Sequence, residues 1–237
     1  MICKLFLSIL AVSGLSLAVH AQKKEAPAFV QFRAVLHDPV NPIANLFYID
    51  KAGAVVPLEF RPQDLTEALF TVPVNGSLVL HNRAIIDPEN PAATLAASVK
   101  FPPDTKRAMV VVLPAPAGEK PAYRMLVIDD SEKAFPFGES RVLPLIGVET
   151  AVQAGEHRLS VQPGKITSVP PVAKVNDFNM AQTNFYFKQG GSWMAFTERQ
   201  LQFMDACRRL FIVHVKPGAI TPTVTTIVDI APVGVPR

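Results

Sequence analysis

The chain has 237 residues and a formal net charge of +3, its 23 basic and 20 acidic side chains scattered rather than clustered. That distribution offers no basic stripe for nucleic acid and no polybasic patch for a membrane surface. Two cysteines, 22 prolines and 12 glycines mark a chain poor in thiols and heavily punctuated by turns.

Residues 1–21 read as a secretory leader: a single Lys4, the apolar run "LFLSILAVSGLSLAV", then Val19 and Ala21 at the small-residue positions before a cut. The run is short for a membrane span, which needs roughly 20 residues. Cleavage after Ala21 predicts an exported protein, periplasmic or extracellular. It also removes Cys3, so Cys207 stands alone without an intrachain disulfide and reads as a small buried hydrophobe. What remains suffices for one large domain or two of roughly 100 residues each.

The first half reads as strands. "AFVQFRAVL" alternates, with Phe29, Gln31 and Arg33 on one face and Val30, Phe32 and Ala34 on the other. "NLFYIDKAGAVVPLEF" is a hairpin around Lys51-Ala52-Gly53, and Asn75-Gly76 is a turn before "SLVLHN". "RPQDLTEALF" has helix-forming residues and fits one helical turn near Asp64. "RAMVVVLP" and "AYRMLVID" flank a Pro/Ala/Gly loop, and the unbroken "MVVVL" predicts a strand covered on both faces.

The window "VIDDSEKAFPFGESRV", Val127–Val142, interrupts the strands with four carboxylates and two serines. A serine nucleophile at Ser140 would need a glycine after it and a following helix, and neither is present. The acids lack the ligand order of a calcium loop. A carboxylate pair for glycoside hydrolysis must converge in space, whereas adjacent Asp129 and Asp130 on a strand end point opposite ways. The simplest reading is a junction: Pro136 and Gly138 make the bend and the acids stay solvated.

Strands then resume in "SRVLPLIG", "HRLSVQPGKITSV", "TNFYFKQGGSWMAFTER", "RLFIVHVK" and "TVTTIVDI". Between them lie turn signals at 162–165 and 189–192. For 197–211 the pattern favours a strand to about Gln202 and a turn through Asp205, with a short capped helix as the alternative. The fold class is therefore all-β, two Ig-like β-sandwich units in tandem: 22–130, a junction at 131–139, 140–231 and a tail at 232–237.

The succession "VIDDSEKAFPFGESRVLPLIG", "QPGK", "FKQGGSWMAF", "CRRLFIVHV" resembles a loose group of secreted bacterial β-sandwich proteins with no assigned function. That resemblance implies a second β unit opened by the Asp-rich turn and closed by a Trp-bearing hairpin and an Arg-led strand. It implies no catalytic residues.

His37, His81, His157 and His214 lie far apart without metal-ligand spacing, and His214 reads as part of a half-exposed strand face. No catalytic residue, metal ligand or cofactor is expected. The binding candidates are Trp193, Tyr186 and Phe196 on the aromatic hairpin. These rings belong either to a sandwich core, with the lone Trp between two sheets, or to a stacking platform for a sugar or peptide. The expected role is non-enzymatic binding or scaffolding of a protein or glycan partner at the cell envelope. A carboxylate-dependent hydrolase is the first alternative. The second is a pilus-type chaperone, which has two Ig-like units and a pair of basic anchors in the cleft between them. Arg33 is one basic group that a cleft could use.

Overall fold

The computed structural model describes residues 29–232 apart from 39, 42 and 43. The leader, with Cys3, and all but the first residue of the tail lie outside the described residues. Eight strands come before the junction: β1 (Val30–Leu36), β2 (Leu46–Ile49), β3 (Val55–Leu58), β4 (Leu69–Thr71), β5 (Ser77–His81), β6 (Leu95–Lys100), β7 (Arg107–Pro114) and β8 (Tyr123–Asp129). Eight follow it: β9 (Ser140–Pro144), β10 (Thr150–Ala154), β11 (His157–Val161), β12 (Thr167–Val169), β13 (Met180–Gln189), β14 (Ser192–Gln202), β15 (Cys207–His214) and β16 (Thr223–Ile230). Among the described residues the only helix is a 3-10 turn at Pro91–Thr94.

These strands form four sheets of four, in the orders β4-β1-β7-β8 and β3-β2-β5-β6, then β12-β9-β15-β16 and β11-β10-β13-β14. Adding eight to each label of the first pair gives the second pair. The molecule is thus two β-sandwiches of one topology. In each, the first strand runs parallel to the seventh.

Residue-level correspondence follows from the ladders. Arg33 pairs Met109 and Arg141 pairs Leu210; Met109 pairs Ile128 and Leu210 pairs Ile227. Arg33 therefore corresponds to Arg141, Arg107 to Arg208, and Asp130 to Asp229.

Period-2 alternation sends Ala34, Val110 and Val112 into the first core, and Val142, Phe211 and Val213 into the second. The intervening residues form a third cluster: Val35, Met109, Val111 and Ile128 with their counterparts Leu143, Leu210, Ile212 and Ile227. The units thus meet sheet face to sheet face through matching residues, as in a two-fold dimer. Each of these eight aliphatic side chains is worth roughly 1.5–3 kcal/mol when fully buried. Separating the units would cost as much as the roughly 5–15 kcal/mol by which a whole domain is stable, so they do not swing as independent bodies.

This contact explains why "MVVVL" and "LFIV" are unbroken apolar runs: β7 and β15 are buried on both faces. The turns at Gly53 and at Asn75-Gly76 take positive φ as expected. The residues 197–211 are strand, turn and strand. The expected helical turn near Asp64 does not form. Thr66 instead bonds Ala34 of β1 twice, its Oγ1 accepting at 2.9 Å and its N–H donating at 2.8 Å, which holds the segment extended. Gly138 sits at φ +92° and its N–H reaches the Cys207 carbonyl at 2.9 Å. Gly138→Val should lower folding stability by roughly 1–3 kcal/mol, read from the urea midpoint, because a β-branched residue tolerates that φ poorly.

Candidate functional site

At one end of the inter-unit contact, strand geometry converges four charges. Arg33 lies on β1, Arg208 on β15 and Asp229 on β16, and Asp130 follows β8 directly. Arg33 Nε and Nη2 donate to the two Asp130 oxygens at 3.0 and 2.8 Å; its Nη1 and Nη2 donate to those of Asp229 at 2.8 and 2.7 Å. Arg208 donates through Nε to Asp229 at 2.8 Å, through Nη2 to Asp130, and through Nη1 to the Phe135 carbonyl. Two positive and two negative charges close a ring spanning both units. Arg208 is 1% exposed and Asp130 2%.

Burial opposes charge on both groups whose titration is displaced, and pairing overcomes it. Hydrogen bonds and charge from Asp229 and Asp130 raise Arg33. Those from Arg33 and then Arg208 hold Asp229 below the usual carboxylate range.

This corrects the expectation that the junction acids are all solvated. Asp129 is exposed and caps the Ser131 N–H at 2.9 Å, while Asp130, one residue on, points the opposite way into the ring. The acids differ because alternation continues one residue past the strand. No sequence signal marked Arg208 as the partner, 78 residues away.

Three members of the ring, Arg33, Arg208 and Asp229, line a cleft of about 480 Å³, together with Arg107, Thr66, Phe137 and residues 230–232. The ring's two carboxylates do converge, which the hydrolase reading requires. Each is held by both arginines, however, and Asp229 is shifted away from the protonated form a general acid needs. Two basic groups also converge, as the chaperone reading requires, and two aspartates neutralise them.

At the far end of the same contact, His37 and His214 meet edge to face with ring centroids 4.4 Å apart. His214 is buried, not half-exposed as its strand pattern suggested, because β15 is covered on both faces. Its Nε2 lies 2.9 Å from Thr225 Oγ1. Nδ1 of His214 and Nε2 of His37 are buried without a partner among the described residues. Burial, then the neighbouring His214, lowers His37 to about 4 against the pull of Asp38. Burial and Lys216 lower His214. Among the described residues no group of three or more His, Cys, Asp or Glu is placed to hold a metal ion.

The aromatic hairpin divides between core and surface. Phe185 is buried, and Phe196 packs on it with centroids 6.2 Å apart and on Phe187 at 5.9 Å. Phe196 is the extra residue at a bulge between the Phe185–Thr197 and Tyr186–Ala195 pairs. Trp193 is not packed between the sheets but 38% exposed, on the outer sheet face with Tyr186. Lys188 Nζ lies 5.7 Å from the Trp193 ring and the Arg158 guanidinium 6.0 Å from the Tyr186 ring. Cys207 is buried and unpaired among the described residues, and burial raises its thiol pKa, which suits a core residue better than a nucleophile.

No protein-family model matches the chain, and no curated protein matches it.

Asp130→Asn should destabilise the fold by about 3–5 kcal/mol, since it leaves two arginines short of a counter-charge in a buried site. Glu132→Gln, on an exposed side chain nearby, should leave the urea midpoint unchanged. For His37 the unfolded chain protonates near 6.5 and the folded protein near 4. The unfolded state therefore binds the extra proton first, and stability falls as pH drops from about 6.5 to 4. Melting temperature against pH should show that slope, and His37→Phe should make it shallower, leaving the part that His214 contributes.

Proposed function

We propose that the protein is an exported, non-enzymatic binding or scaffolding protein of a bacterial cell envelope. In this reading it comprises two Ig-like sandwich units, 22–130 and 140–231, joined by 131–139. The architecture of paired four-stranded sheets supports the likeness, although here the first strand lies inside its sheet beside a parallel neighbour. One observation carries the non-enzymatic reading: the charged groups that converge between the units are hydrogen-bonded to one another. A proton-transfer site needs a group free to change its charge. A closed ring of two arginines and two aspartates instead fixes two units as one rigid body, which suits bridging.

The partner surface in this reading is the outer face of β13 and β14. Tyr186 and Trp193 stand there among Lys188, Gln153 and Asn184, with aromatic faces for stacking and amides for hydrogen bonds. A protein or a glycan fits that chemistry. Export rests on the leader alone.

Material recovered from an envelope fraction should begin at Gln22 by intact mass. It should retain a protein or glycan partner that the Tyr186→Ala/Trp193→Ala double variant loses by about tenfold or more in affinity, with an unchanged melting temperature. A retained Met1 would remove the export reading. Hydrolysis of an envelope glycan that Asp229→Asn abolishes in a still-folded protein would replace the binding reading with the hydrolase.

A further inference from the structure

The two halves are alike in topology and register but differ in what fills the two sides of their contact. On one side the junction supplies Phe135, which is 1% exposed. Its ring lies 4.4 Å from the Arg141 guanidinium and 4.8 Å from that of Arg208, and its carbonyl accepts from Arg208 Nη1. Phe137 adds a second ring 4.6 Å from Arg208. The residues doing this are Phe-Pro-Phe, a bend and turn laid across two arginines.

Applying the ladder correspondence to those arginines, Arg141 becomes Arg33 and Arg208 becomes Arg107. Both line the 480 Å³ cleft, and residues 230–232, which correspond to the start of the junction, line it as well. The cleft therefore includes the place that corresponds to the Phe135 site, and Glu132, Phe137 and Arg208 line its other side. We propose that it binds an aromatic–proline peptide segment of a partner protein, one ring against Arg33 and the peptide carbonyl on Arg107.

Three observations favour this occupant. Arg33 spends the edges of its guanidinium on Asp130 and Asp229, which leaves its planar face for a ring. Arg107 is exposed and its guanidinium has no hydrogen-bond or ion-pair partner among the described residues, so it offers donors to a carbonyl. The cleft is also continuous with the inter-unit contact, because Arg33, Arg208 and Asp229 belong to both. Aspartates already neutralise the two ring arginines, so the recognised feature is a ring and a carbonyl rather than a strongly acidic group. This rests on the proposal that the protein is a binding protein and names a class of partner for a second surface.

The probe is a fluorescent peptide with the chain's own junction sequence, Lys-Ala-Phe-Pro-Phe-Gly, titrated into the full mature protein and followed by anisotropy. Saturable one-to-one binding is expected. It should weaken about tenfold with Arg107→Ala, the scale of one charge-assisted hydrogen bond. It should be lost with a peptide carrying Ala for both Phe, and blocked by Ala68→Trp, a substitution at an exposed cleft position. Arg107 is outside the ring, so Arg107→Ala should keep the parent melting temperature. Absence of saturable binding, or binding indifferent to both Arg107→Ala and Ala68→Trp, overturns the proposal. Binding seen only after residues 233–237 are deleted would make that segment the occupant and overturn the partner. If the peptide fails while the Tyr186/Trp193 face still retains an envelope partner, the binding function stands and only the cleft assignment falls.

Discussion

The architecture turns on one ring of charge. Arg33, Asp130, Arg208 and Asp229 come from both sandwiches and pair with one another, with the Phe135 carbonyl taking one further Arg208 donor, in a place where water reaches Arg208 and Asp130 hardly at all. Removing such charges from water costs several kcal/mol per ion, and geometry this complete is what returns it. The ring consequently says more about arrangement than about gross stability. Aliphatic faces would tolerate sliding by a residue or two, because one branched side chain packs much like another. A slide of that size would set arginine against arginine, or leave an aspartate against leucine. The ring selects one register from the several that the apolar contact allows.

That apolar contact has the form of a dimer folded into one chain. Val35, Met109, Val111 and Ile128 meet the residues that correspond to them, so the same face is used twice. In an ordinary sandwich the outer face of each sheet is wet and its strands alternate apolar with polar. Here the two inner sheets of a four-layer stack have no wet face near their middle. β7 and β15 therefore carry aliphatic residues at successive positions. The outermost sheets keep the alternation, which is why β14 reads polar and apolar by turns.

Much of this was legible in the chain. The strands, the turns at Gly53, Asn75-Gly76 and Gly164, and the double covering of "MVVVL" follow from local chemistry and alternation. The charge ring did not, because its members come from four places and strand alternation gives a direction without a partner. Asp130 illustrates the limit: the sequence shows it pointing away from Asp129, but not that Arg33 and Arg208 wait on that side. His37 and His214 are likewise isolated in sequence and adjacent in space. The repeat left traces that are clear once the ladders are known: "RAMVVV" with "RRLFIV", "VIDD" with "TIVD", "FRAVL" with "SRVLP". They are short because only the strands at the contact are constrained on both faces. Elsewhere the two units share a shape and hold it with different side chains.

A fused pair cannot keep the full symmetry of its dimer, since one connection must cross from the first unit to the second. Here the crossing is 131–139, and it lies over one side of the ring. Phe135 and Phe137 cover Arg208 there, and Arg141 is drawn off the ring onto the Phe135 ring. On the other side Arg33 turns inward to both aspartates and Arg107 is left in solvent. The same pair of arginine positions therefore does two jobs: one of each pair closes the ring, and the other either grips the crossing or faces the open cleft. The cleft lies beside the crossing, with Glu132 and Phe137 in its lining, because a chain that passes between its halves once can seat Phe135 at only one of two matching pairs of arginine positions.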